Sequence, residues 1–163
     1  MVLRRCLAAL FCACILPAHA AETLSLDGLD PVKIGMNRQD AEKALGKKLK
    51  VQGDANCAIA ARPDKKASYM LVASRIVRID VKAQNAGITW DQGLGIGSQE
   101  AALKKAFGSR AEIFPHRYTP DGNYVEVNFP AKDRLLLFET DHGKVTRFRV
   151  GLPKYVQWVE GCS

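Results

Sequence analysis

Between residues 75 and 82 the chain alternates. Arg78, Asp80 and Lys82 stand among Val77, Ile79 and Val81. A period of two reads as a strand with one buried and one wet face. Related patterns predict strands over 57–61, 68–73 and 75–82. Four more follow over 112–118, 123–129, 134–140 and 144–150, with a short final strand over 155–159. Arg62-Pro-Asp-Lys-Lys66, Pro120-Asp-Gly122 and Asp141-His-Gly143 carry the turn residues that separate them. Phe107, Phe129, Phe138 and Phe148 fall at core positions.

Two stretches switch to helical spacing. Asn37 is a good N-cap with Asp40 as its reciprocal partner, Ala41, Ala44 and Leu45 form an apolar stripe, and Gly46 is the stop. Ser98 or Gln99 caps the second run. Glu100 suits its positive first turn, Leu103, Ala106 and Phe107 face inward, and Gly108 ends it. The runs open alike, Ile34-Gly35-Met36-Asn37 and Ile96-Gly97-Ser98-Gln99, and each spans the same distance to its closing glycine. That recurrence predicts an α+β fold: two tandem repeats of a short helix followed by an antiparallel β-meander, sharing one core. The expected organisation is 1–20 signal peptide, 21–86 first repeat and 87–163 second repeat, in one compact body.

The chain has 163 residues and a net charge of +7. Its first twenty read as an export signal. Arg4 and Arg5 precede an apolar stretch too short to span a bilayer, and Ala18-His19-Ala20 offers a cleavage site. A periplasmic or secreted protein follows, with a lipid anchor at Cys14 as the weaker alternative. Without the signal, 22 basic residues face 17 acidic ones, a charge of +5. This favours an anionic partner. In an exported protein that means an acidic protein or an anionic envelope surface, not nucleic acid. No later segment is long and apolar enough for a membrane helix, and a monomer is expected.

Cys57 and Cys162 are the cysteines left after the signal. In an oxidising compartment they most simply pair. With His116 and His142 at no ligand spacing, no metal site is expected, and no cofactor. Gly93-Leu-Gly95-Ile-Gly97 lacks the spacing of a nucleotide loop and reads as turn and helix entry. His116 and His142 have no serine or cysteine beside them. Glu126 and Glu139 alternate with apolar residues, as on a solvated sheet face. No catalytic residues are expected. Among the aromatics, Tyr118 and Tyr124 stand near Arg147 and Arg149 on the face taken as exposed, so these four are the candidate interface.

Two glycine-started helices, each with a following meander, resemble the β-lactamase-inhibitor-protein-like tandem repeat. The single unit is similar to the repeat of the SmpA/OmlA outer-membrane lipoproteins. The residues that carry this are Ile34-Gly35-Met36-Asn37 with Leu45-Gly46, and Ile96-Gly97-Ser98 with Phe107-Gly108. The resemblance implies non-catalytic proteins that bind other proteins with an open sheet face or act as envelope scaffolds. The expected function is an exported protein-binding module, an inhibitor of an envelope enzyme or toxin. The alternative is an envelope-maintenance protein contacting lipopolysaccharide or peptidoglycan through its lysines.

Overall fold

A computed structural model describes residues 22–82 and 87–162. The expected signal peptide, the Cys14 anchor and residues 83–86, at the expected boundary between the repeats, lie outside the described residues.

Three two-residue strands come first: β1 (Glu22–Thr23), β2 (Gly28–Leu29) and β3 (Val32–Lys33). Helix α1 (Arg38–Leu45) begins at Asn37, whose side chain accepts from the Asp40 amide at 2.9 Å, and ends at Gly46. Gly46 takes φ 64°, a left-handed turn that suits glycine. Strands β4 (Lys50–Gly53), β5 (Ala58–Ala61), β6 (Ser68–Val72) and β7 (Arg75–Lys82) follow. After β8 (Ile88–Thr89) comes α2 (Glu100–Phe107), with Gln99 in the cap position. Four longer pieces come next: β9 (Ala111–Pro115), β10 (Gly122–Phe129), β11 (Arg134–Asp141) and β12 (Lys144–Gly151). The α3 helix (Pro153–Val156) leads into the C-terminal tail.

The α+β expectation of repeated helix-plus-meander units is overturned. The chain is mostly β, and eight strands form one antiparallel sheet in the order β4-β5-β6-β7-β12-β11-β10-β9. Among the described residues, α-helix is confined to two eight-residue pieces and the four residues of α3, with three short 3-10 turns besides. The physical reason is the seam between β7 and β12. Arg78 to Lys82 pair in register with Gly151 to Arg147, so no sheet edge is left there. The expected final strand over 155–159 is also corrected. Pro153 presets the φ of a helix start and α3 forms there instead.

One face of the sheet carries the main core. Tyr69, Ile76, Ile79, Val81, Val125, Leu136, Phe138, Phe148 and Val150 point into it, under Leu24, Leu29, Ala41, Leu103 and Phe107. Phe138 and Phe148 stack with ring centres 5.5 Å apart. Each such side chain contributes roughly 1.5–3 kcal/mol by leaving water. Phe129 lies against the edge of this core, 6.2 Å from the Trp90 ring.

Candidate functional site

The opposite face was expected to be wet. It is instead a layer of paired charges partly roofed by the C-terminal tail. Register places its residues in rows, because directly opposed strand residues share a face. In one row Lys82 faces Arg147, Arg147 faces Glu139, Glu139 faces Tyr124, and Tyr124 faces Phe114. In the next, Asp80 faces Arg149, Arg149 faces Leu137, and Leu137 faces Glu126.

Two buried arginines fasten the tail. The Nη1 of Arg78 donates to the carbonyls of Tyr155 at 2.7 Å and Trp158 at 2.8 Å. Nε of Arg149 donates to the Val156 carbonyl at 2.7 Å. Val156 itself packs with Tyr124, Leu135 and Leu137. Further out, Gln157 Nε2 donates to Glu126 Oε2 at 3.2 Å, and the Tyr118 hydroxyl donates to the Glu160 carboxylate. That bond to Glu160 raises the pKa of the Tyr118 phenol. A disulfide joins Cys162 to Cys57, whose Cα atoms are 5.3 Å apart.

Glu139 is the centre of the charge layer. Its Oε1 accepts from Arg149 Nη1, and its Oε2 lies 3.1 Å from Arg147 Nε and 3.2 Å from His116 Nε2. Only 4% of Glu139 is exposed, so the solvated-face reading of this carboxylate is corrected. Two cations and a ring N–H offset the cost of taking it out of water. The His116 Nδ1 accepts from the amides of Tyr118 at 3.0 Å and Thr119 at 3.1 Å, which leaves Nε2 as the nitrogen that donates to Glu139. The ring also stacks on Tyr124 with centres 4.3 Å apart. Both ring nitrogens therefore hold the 116–119 loop against the sheet. His142 sits apart at the exposed β11–β12 turn, 2.7 Å from Asp141.

Two of the cavities beside the tail open on the charged sheet face. One, of about 270 Å³, is lined by Arg78, Asp80, Lys82, Arg147, Arg149 and Glu160 among others. The second, of about 310 Å³, is lined by His116, Tyr118, Tyr124, Glu139, Asp141 and Arg147 among others. Its walls carry the hydroxyl-bearing Tyr118, Thr119, Tyr124 and Thr146 but no serine or cysteine. Among the described residues no three His, Cys, Asp or Glu side chains are grouped to hold a metal.

The four candidate interface residues separate. Tyr118 is 57% exposed, and Arg147 is exposed at the mouth shared by both cavities. Tyr124 is 8% exposed beneath His116, and Arg149 is 3% exposed beneath the tail. Neither of these two is open surface, and the interface expectation is corrected for both: the tail and the 116–119 loop cover them. Sequence reasoning missed the roles of Arg78 and Glu139. A signal was present. Leu135-Leu-Leu-Phe138 is an unbroken apolar run before Glu139, and a strand without alternation is covered on both faces. Also missed was Phe114, 43% exposed on the edge strand β9.

Among the described residues no helix is long and apolar enough to cross a membrane. No family model matches the chain, and comparison with curated proteins finds no match. Among solved structures the chain is similar to YjgB, a DUF4309 family protein from Bacillus subtilis subsp. subtilis str. 168, at 14% identity and TM-score 0.48, over 76% of this chain and 84% of that one.

Proposed function

We propose that this chain is an exported, non-catalytic binding module that grips an acidic protein at the β9 end of its sheet. The observation that carries this is where the large apolar groups are exposed. Among the described residues these are Ile113 and Phe114 on β9, Tyr118 just after it, and Trp158 in the tail. The Tyr118–Glu160 bond and the Gln157–Glu126 bond hold the two segments near each other. Aromatic groups rimmed by polar ones are typical of an interface. Strand β9 also pairs on one side only, so its outer edge offers main-chain groups to an extended segment of a partner. The charge of +5 left without the expected signal, with Arg117 beside the Tyr118 ring, supports an acidic partner. The Cys57–Cys162 disulfide supports an oxidising compartment.

The test is capture from an envelope extract of the cells that make the protein. The wild type should retain an acidic protein in stoichiometric amount. A variant carrying Phe114→Glu and Trp158→Ala should retain roughly tenfold less, the loss expected for an aromatic anchor. Equal retention by both proteins removes β9 from the interface.

A second reading, contact with lipopolysaccharide or peptidoglycan, has Lys43, Lys47, Lys48 and Lys50 around the end of α1 in its favour. Binding to an envelope fraction should then weaken steeply with salt. Binding unchanged at high salt rejects it.

A further inference from the structure

We infer that the cavity under the C-terminal tail, between β7, β12 and residues 159–162, binds a small oxyanion: a phosphate group or a carboxylate. Its walls carry four cations, Arg78, Lys82, Arg147 and Arg149, against two carboxylates, Asp80 and Glu160. Asp80 is already engaged by Arg78 Nε at 2.9 Å, and Glu160 accepts from Tyr118. Glu139, which pairs with both Arg147 and Arg149, brings the carboxylates to three, so the four cations leave one positive charge over around a cleft of about 270 Å³, several times the volume of a water molecule.

Arg149 supplies the second, independent sign. Its side chain is only 4% exposed. Nε is spent on the Val156 carbonyl and Nη1 on Glu139, but Nη2 is buried with no hydrogen-bond partner. A buried donor without a partner is costly, and buried guanidinium nitrogens are regularly satisfied. The two bonds it does make lock the guanidinium plane, so its fork is organised before any ligand arrives. Lys82 and Arg147 are cross-strand neighbours one row further along the same face. An oxyanion lodged in the cavity meets the exposed cations Lys82 and Arg147 at the mouth, with the locked Arg149 guanidinium beneath them. Such charge-assisted bonds are the stronger kind, and an arginine fork matches the geometry of carboxylate and phosphate.

The site stands independently of the β9 interface. Its test is a titration of the isotopically labelled protein, followed by amide NMR at constant ionic strength set with chloride. Sodium phosphate and sodium acetate are the probes in separate arms. Saturable shifts should centre on Lys82, Arg149 and Gly161 with a dissociation constant of about 1 mM or tighter for at least one probe. The arm that saturates identifies the class of oxyanion. Lys82→Gln, at an exposed strand end, should weaken binding by about tenfold, and Arg147→Gln should do the same, with denaturant unfolding run beside it because it also removes a cation from buried Glu139; Lys43→Gln, on α1 across the sheet, should leave binding unchanged. No saturation with either probe, or equal weakening by Lys43→Gln, overturns the assignment.

Discussion

Nη1 of Arg78 lies 2.8 Å from the carbonyl oxygen of Trp158, a residue 80 positions further along the chain. The same nitrogen holds the Tyr155 carbonyl, while Nε holds Asp80. One guanidinium thus joins a central strand to the tail. Arg78→Met should destabilise the protein by about 3 kcal/mol, because it leaves Asp80 without its cation and two carbonyls without a donor. Denaturant unfolding measures the loss. Faster amide exchange over residues 155–161 should accompany it, and an unchanged tail would show that Arg78 is not its anchor.

Glu139 and Arg149 form the second buried link. Glu139→Leu should cost about 3 kcal/mol, since it strands Arg149 in a low-dielectric layer. Replacing both, Glu139→Leu with Arg149→Met, should cost less than the sum of the two single changes, because no unpaired charge remains. A double-mutant cycle reads this coupling directly. Strict additivity would mean that the two groups do not share one network.

Reduction of the Cys57–Cys162 disulfide opens a loop closed over 105 positions. Chain entropy assigns such a loop on the order of 4–5 kcal/mol, and native bridges deliver about 2–5 kcal/mol in practice. The Cys57→Ala, Cys162→Ala protein should show that decrease in denaturant unfolding. Thiol titration of the unfolded, unreduced protein should find none at these two positions.

The Glu42 carboxyl is held down to about 2 by Lys48, the Leu49 amide and Arg38, against an ordinary value of 4.5. A folded-state pKa below the unfolded one contributes stability that is present above about 4.5 and lost as pH falls toward 2. Glu42→Gln should therefore flatten the acid limb of the stability profile between these values and leave the shape of the alkaline limb alone. A variant with the same acid limb as the wild type contradicts this role.

Gly151 sits where β12 meets β7. A Cβ there would lie 2.3 Å from the Val77 carbonyl oxygen and 2.8 Å from the Arg78 Cα, both main-chain atoms that cannot swing aside. Gly151→Ala should cost about 1–3 kcal/mol, in the range of other overpacked sites. Thermal unfolding measures it, and a neutral result would mean that the seam is looser than its register indicates.

Local patterns carried the strands well. The period of two located β7 at both ends, and β10 and β11 to within one residue. Asn37 and Gly46 bounded α1 because cap chemistry acts over three or four residues. The candidate interface fared differently. Tyr118 and Arg147 are exposed, while Tyr124 and Arg149 are roofed by the 116–119 loop and the tail, which fold back over the sheet. Residue type alone does not reveal a roof. The apolar run before Glu139 was the local trace of it.

What the sequence by itself determined is the extent of α1, β7, β10 and β11, the hairpin turns and the positive charge, since each depends on neighbours a few residues apart. Tertiary structure alone decided that β7 joins β12 to make one sheet and that the tail crosses the charged face. Those outcomes rest on pairings between residues some 70 to 105 positions apart, such as Arg78 with Gly151 and Cys57 with Cys162. Long-range partners are chosen by the packing and charge balance of the whole fold, and no window along the chain contains both members of such a pair.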